Sequence, residues 1–459
     1  MELEDRQEAL LPAYLASFSH LVGDRRTGVT LRETVKGIIH AGSLVCQRIA
    51  NASVVLSRAK EGGQRVSRLA RGESTKRSTI NAQSLTAALG ERGVTHLLGV
   101  DGEELWVIAD LSEVRKPYAR EMPELMWVRA LDEQLVRGYR TVNVLGLTPQ
   151  RRGILYHRLF SSQEQEFDSE SLEIQQALHS VQKTLSEHPA CRPVTWITDS
   201  GFDDIAVWRT VWEQEEHLLC RLKHAERLVE YRERRGGWVA GDIAQARQQM
   251  DWLAIVQTEM VVRRGRQRKA KRQPLSAEVG ACALRLTYDR HVRREGPEEK
   301  VQRQVWLVEV RLPGTHLEPW LLLTDWPVLD APSAMRIFQM YRQRWAVEDS
   351  FTFVKDVLGW EEVQLLDLEG IRTLLALGWV AAGFLYELGV TLEWEEVRLL
   401  ARLGGWIPRP NNKPGKTVLT RGLRRLLDLL STQAFLEHYQ SEHGDLPPRI
   451  ATLLRSGQL

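Results

Sequence analysis

YRQRWAVEDSFTFVK, residues 341–355, is the stretch from which the fold of this 459-residue chain is read. It reads as helix. Arg344, Glu348 and Lys355 follow Tyr341 by 3, 7 and 14 residues. At about 100° per residue these offsets fall near about 300°, 340° and 320°, so the four side chains share a stripe about 60° wide. Met340, Val347, Phe351, Val354 and Leu358 make an apolar stripe beside it. The helix should pack one face and present a phenol, two cations and a carboxylate along the seam. A carboxylate between cations can hold a metal while the cations grip phosphates. The plain alternative is a surface helix carrying an i,i+4 ion pair, Arg344 with Glu348.

The order Tyr, two residues, Arg, three residues, Glu, six residues, Lys resembles the signature of one branch of bacterial DDE transposases. That branch, the insertion-sequence-four family, includes cut-and-paste enzymes that excise through DNA hairpins. All four positions match, and Trp345 and Asp349 also resemble the family context. The resemblance implies two Asp residues upstream that complete a catalytic, metal-holding triad with Glu348.

The second Asp stands in PVTWITDSGFD, residues 193–203. Val194–Thr198 is a short β-prone run with Asp199 at its tip, and Gly201 permits a sharp exit. By itself such an Asp starts a turn or caps a helix; the resemblance makes Asp199 the second acid. For the first, Asp110 interrupts the apolar β-type run Leu105–Ala109 within ELWVIADLS. A carboxylate inside a strand is costly unless something pairs with it, and a metal would serve. Asp101 is the rival, although DGEE around it reads as a hairpin turn. The LSEVRKP that follows Asp110 is similar to the family context of the first acid.

These segments fit one α/β fold. Residues 135–147 and 151–161 read as strands, 171–188 as helix, and the Asp199 strand follows. Strand, strand, strand, helix, strand is the opening order of a ribonuclease-H-like core, in which the first and fourth strands lie side by side. The 149 positions between Asp199 and Glu348 exceed what that core needs. HLLCRLK (217–223), WLAIVQTEMVV (252–262), ACALRLTYD (281–289) and QVWLVEVRL (304–312) read as strands of an inserted β subdomain. The basic run RRGRQRKAKRQP (263–274) lies between them, as a solvated tip or a DNA-backbone clamp. The expected divisions are a helical DNA-binding region (1–94), catalytic segments (95–215 and 327–390), the insertion (216–326), and a helical end (391–459), through which dimerisation would resemble some relatives.

The resemblance also implies DNA contacts. Arg344 and Lys355 would hold phosphates, and Tyr341 would meet the backbone. Trp320, opening WLLLT, would stack on a base flipped from the duplex; the alternative is a core Trp. Arg221 and Lys223 would touch DNA or form the polar face of a strand. The implied cofactor is Mg2+, with Mn2+ able to substitute, as two ions per site. Cys and His show no zinc-type spacing.

The flanks read as mainly helical, around 5–22, 30–60 and 83–92 at the start and including 423–439 near the end. Arg65, Arg68, Arg71, Lys76 and Arg77 make the first flank locally basic, and NNKPGKT (411–417) reads as an exposed loop. The most apolar stretch, 370–390, has only 14 residues between Arg372 and Glu387, short of the roughly 20 of a membrane span. It is expected to be a buried core helix. Hydrophobic content of 43% and charged content of 27% describe a soluble globular chain. A net charge of +2 leaves DNA affinity to local patches. Cysteines at 46, 191, 220 and 282 suggest reduced thiols, and no secretory leader is expected. The reading is therefore a cytoplasmic, nucleoid-associated transposase acting as a homodimer on terminal inverted repeats and target DNA. Its rivals are a nuclease of the same fold without strand transfer and an inactive, domesticated DNA-binding protein.

Overall fold

Twelve strands form one mixed sheet among the described residues. They are β1 Leu105–Arg115, β2 Met126–Arg129, β3 Leu135–Leu147, β4 Arg152–Phe160, β5 Val194–Thr198, β6 His217–Arg221, β7 Leu228–Arg232, β8 Trp238–Asp242, β9 Asp251–Val262, β10 Lys271–His291, β11 Glu298–Arg311 and β12 Trp320–Thr324. The computed structural model describes residues 10–58, 61–73, 78–99, 104–130, 133–188, 193–233, 236–262, 271–291, 298–407 and 413–451. The sheet runs β2-β3-β1-β5-β6-β12-β11-β10-β7-β8, with β4 also paired to β3 and β9 to β10.

β1 is antiparallel to β3 and parallel to β5, and β5 is parallel to β6. A parallel pair needs a crossover. The helix Glu170–Ser186 supplies one before β5, and Ile205–Trp212 supplies one before β6. Ser169 starts the first of these by accepting from Leu172 N. The expected strands at 135–147 and 151–161, the helix at 171–188 and the adjacency of the first strand to the Asp199 strand are all present. The strands of 216–326 are hydrogen-bonded into the same sheet, β6 to β5 and β12 to both β6 and β11. Of the basic run, 263–270 lies outside the described residues, and Lys271–Pro274 opens β10 rather than continuing a loop. Strands β2, β7 and β8 had no expectation.

The chain ends are helical, with one correction. Residues 30–60 are not a single segment but parts of three helices, Arg25–Ala41, Cys46–Asn51 and Val54–Ser57. Gly42, at φ 61°, takes the left-handed conformation that stops the first. The Ser53 side chain starts the third by accepting from Leu56 N. Lys76, Arg77 and Asp101 lie outside the described residues, as do 408–412 before the long helix Lys416–His443.

Successive β1 side chains face opposite layers. Val107 and Ala109 belong to the apolar layer that also buries Ala177 and Leu178 of the helix Glu170–Ser186. Ile108 packs in the other layer, with the N-terminal helices, the Glu348 helix and Leu368–Thr391. That last helix is long and apolar enough to cross a membrane, yet 83% of its most apolar window is buried inside the fold. It is the expected core helix. Arg92 and Glu387 pair across it at 2.9 and 2.5 Å, and Arg372 donates to Leu159 O at 3.0 Å.

His157 on β4 is buried where that helix meets the sheet. Its Nδ1 donates to Asn143 Oδ1 at 2.8 Å, and its ring lies 5.2 Å from Trp360 and 6.2 Å from Trp379. Burial pushes the imidazole down to about 3. Between that value and the ordinary one near 6.5, the unfolded chain holds a proton that the folded chain refuses. The His157 contribution to stability should be full above pH 6.5 and be lost as pH drops, by up to about 1.4 kcal/mol per pH unit. Denaturant unfolding of wild type and His157→Gln at about pH 7.5 and about pH 5 measures the effect. The variant should lose part of the acid destabilisation.

Candidate active site

Parallel pairing brings two acids together. Ala109 on β1 is opposite Thr198 on β5, so Asp110 and Asp199 occupy the next position on neighbouring strands. Strand alternation puts Asp110 on the face of Ile108 and Asp199 on that of Ile197, and both isoleucines belong to the layer beneath the Glu348 helix.

Asp110 is buried mid-strand. One carboxylate oxygen accepts from Leu111 N at 2.8 Å, and the other from Arg344 Nη1 at 3.0 Å. Arg344 Nη2 reaches Glu348 Oε1 at 3.1 Å, so one guanidinium bridges two of the expected acids. Burial pushes Asp110 up to about 8; Asp199 and Glu348 add to the rise, and Arg344 opposes it. Asp199, half-buried beyond β5, accepts from Gly201 N at 2.8 Å and caps the short turn Ser200–Phe202. A Cβ on residue 201 would lie 3.1 Å from Asp199 Oδ1, so glycine preserves the turn. Asp199 thus performs both roles read from its sequence context, strand-tip acid and cap.

The stretch 341–355 departs from a single helix. The helix Ala331–Arg342, capped by Asp330 and Ser333, ends before the helix Trp345–Thr352 begins. Between them Arg344 N and Val347 N bond three residues back, to Tyr341 O and Arg344 O. These tighter bonds break the 3.6-residue period on which the common stripe relied. Phe353–Val357 then widens into a π-turn. The apolar stripe survives: Met340, Val347, Phe351, Val354 and Leu358 are all buried. The polar stripe divides. Arg344 and Glu348 face the acids, whereas Lys355 lies 3.8 Å from Glu361.

Tyr341 is 3% exposed, too enclosed to lie along a DNA backbone in this conformation. Burial raises its phenol well above the usual range, against the pull of Arg344 and Arg221. Its ring meets half-buried Trp320 edge-on at 5.3 Å, and Trp320 lies 6.1 Å from Phe338. Trp320 is therefore part core and part surface. Arg221 closes β6 half-buried, and the Lys223 side chain is exposed just beyond.

Two supporting carboxylates escaped the sequence reading. Asp203 accepts from the backbone N–H of Lys223 (2.6 Å) and His224 (2.8 Å) and pairs with Arg227 (2.5 Å), locking the turn after Asp199 to the loop after β6. Glu361 pairs with Arg115 at 2.9 Å. An Asp in the acid-rich DSGFDD was the available hint for the first; the second had none. Asp349, beside Glu348, is held by Arg152 at 2.8 Å and by Lys416.

Among the described residues no three His, Cys, Asp or Glu side chains are gathered closely enough to enclose a metal ion as they stand. The donor set still fits one in chemistry. Asp110, Asp199 and Glu348 are all-oxygen, like-charged and mutually destabilising at Asp110, and a hard divalent cation relieves such a group.

A mixed sheet with carboxylates at adjacent strand positions beneath an Arg–Glu helix is a site suited to phosphoryl chemistry. Residues 137–382 match the family model of the transposase DDE domain. That is more than half of the chain, and the protein belongs to this family of metal-dependent, DNA-cleaving transposases. The match contains Asp199 and Glu348 and begins after Asp110, so the case for Asp110 rests on its pairing beside Asp199. No curated protein sequence matches the chain.

Because the folded chain holds the Asp110 proton up to about pH 8 and the unfolded chain releases it near 3.8, the Asp110 contribution to stability should fall as pH rises through that window. Asp110→Asn removes this term. In EDTA, the melting temperature of the variant minus that of wild type should be more positive at about pH 9 than at about pH 5.

Proposed function

We propose that the chain is a cut-and-paste transposase of the insertion-sequence-four branch, with Asp110, Asp199 and Glu348 as its catalytic triad on a ribonuclease-H-like core. The observation that carries this reading is the placement of Asp110 and Asp199 side by side on parallel strands, with Arg344 linking Asp110 to Glu348. The sheet order β4-β3-β1-β5-β6 supports the ribonuclease-H-like core.

The three carboxylates would hold two Mg2+ ions, or Mn2+ in their place. When bound, such ions activate an attacking oxygen and stabilise a leaving one. With the carboxylates so partnered, Arg344 is free to turn its forked donors to a phosphate near the scissile bond. Lys355 adds a second cation, and exposed Trp345 and half-buried Trp320 border the same helix pair. Buried Tyr341 acts as a prop for Trp320 and Arg344. Water nicks one strand at the element end, and the freed 3′ hydroxyl attacks the opposite strand to form a hairpin. A second water opens the hairpin and frees that 3′ hydroxyl again, which then attacks a target phosphodiester and displaces a target 3′ hydroxyl.

The basic N-terminal helices would read the inverted repeats. Exposed Leu429 and Phe435 on the helix Lys416–His443 favour a homodimer at that end. The setting is the bacterial cytoplasm, on the nucleoid.

Purified protein, end DNA and a target plasmid test the reading. Joined products are expected; cut products alone would make the chain a nuclease. Glu348→Gln should abolish cleavage while leaving gel-shift affinity for end DNA within about threefold, since Glu348 supplies metal ligation and no phosphate contact. Normal cleavage by this variant would remove Glu348 from the triad.

A further inference from the structure

Glu361 lies six residues beyond Lys355 and joins two parts of the site. Its carboxylate takes the Arg115 guanidinium on both oxygens, at 2.9 and 3.1 Å, and the Arg115 backbone N–H at 3.3 Å. The same carboxylate stands 3.8 Å from Lys355 Nζ. Arg115 ends β1, five residues after Asp110 on the same strand. The neighbouring Lys116, itself buried, donates its ammonium to the carbonyls of Glu361 and Val363, both at 2.5 Å. Backbone and side chain of Glu361 are thereby fixed to β1. The Lys355 and Glu361 side chains are only 16% and 25% exposed, so the contact is shielded from solvent screening.

We propose that Glu361 is the positioning residue for Lys355, fixing its ammonium, through Arg115, at a set place relative to the strand that carries Asp110. The inference rests on the reading of Lys355 as a phosphate-gripping cation. A flexible four-carbon stem has many rotamers, and a site that needs its charge at one point must restrict it. The charged groups facing Lys355 are Glu361, Arg115, Glu113 and Asp356. Burial lowers the ammonium, and Glu361 is the largest influence holding it charged.

The test uses the full-length protein with Mg2+ and end DNA. Glu361→Gln keeps the shape and withdraws the charge. Its kcat should fall by about 10- to 100-fold with KM for end DNA little changed, as expected for a misplaced cation. The alkaline limb of its kcat–pH profile should move to lower pH, because Lys355 loses its proton more easily. Adding Lys355→Arg, whose charge does not titrate, should return that limb to higher pH, and Glu361→Asp should recover part of the rate. Wild-type rates in Glu361→Gln, or a loss of rate with an unmoved limb and a lowered melting temperature, would overturn the proposal. Intact cleavage by Lys355→Ala would instead remove the phosphate-gripping role on which it stands, whatever Glu361 does.

Discussion

Two carboxylates side by side in a protein interior repel each other, and the fold holds Asp110 and Asp199 in that relation through the backbone rather than the side chains. The ladder that pairs Leu105–Ala109 with Val194–Thr198 leaves the next residue of each strand adjacent. That ladder is parallel, so it exists only because a helix carries the chain back between β4 and β5. The helix Glu170–Ser186 stays in place by burying Ile174, Ala177, Leu178 and Val181 against the opposite layer. The charge arrangement of the site is thus maintained by hydrophobic packing on the other side of the sheet. A buried Asp held near about 8 and pressed by a second acid is unfavourable in itself, and groups perturbed in this way gather where chemistry is done.

The helical flanks contribute to the same geometry. The helix Leu368–Thr391 is buried along most of its length, and the helix Ala82–Leu98 is pinned to it by Arg92 and Glu387. On the far side, Lys416 opens the C-terminal helix and pairs with Asp349, the residue after Glu348, with its ammonium 5.2 Å from the Phe353 ring and 5.4 Å from Tyr386. Arg152 at the start of β4 holds the same carboxylate. The short Glu348 helix, only eight residues long, is therefore oriented from three directions: β1 through Arg344, β4 through Arg152 and the C-terminal helix through Lys416. A helix of that length has little stability alone, and these ties supply what its own hydrogen bonds do not.

The sequence was informative where a single period ran long enough. β3, β4, the helix Glu170–Ser186 and the apolar helix after residue 368 all follow from local pattern, and so does the place of Asp199 at a strand tip. Asp110 was legible as an acid inside an apolar strand, which is costly without a partner. What could not be read were features set by tertiary contact. Tyr341 occupies a polar position by spacing, but packing against Trp320 buries it. Glu361 looks like any surface acid until Arg115, 246 residues earlier, is brought to it. The strands of 216–326 join the rest of the sheet where β6 pairs with β5, and β6 is then tied to β12, far along the chain, by a pairing that no local window contains.

The division of the Tyr-Arg-Glu-Lys stretch also gives its spacing a physical sense. Had residues 341–355 formed one regular helix, the four polar groups would have shared a single face and a single partner. The three-residue hydrogen bonds around Arg344 turn the chain between Tyr341 and Glu348, so the phenol goes under Trp320 while the guanidinium reaches Asp110. Arg344 stands just before the helix Trp345–Thr352 and Glu348 in its first turn, and this four-residue interval lets the cation bond the acid. The π-turn at Phe353–Val357 then carries Lys355 away from the acids and toward Glu361. Arg344 and Lys355 consequently stand apart, one among the acids and one at the end of β1. Held apart in this way the two cations do not repel each other at one point, and each meets its own acid, Arg344 the Asp110 carboxylate and Lys355 that of Glu361.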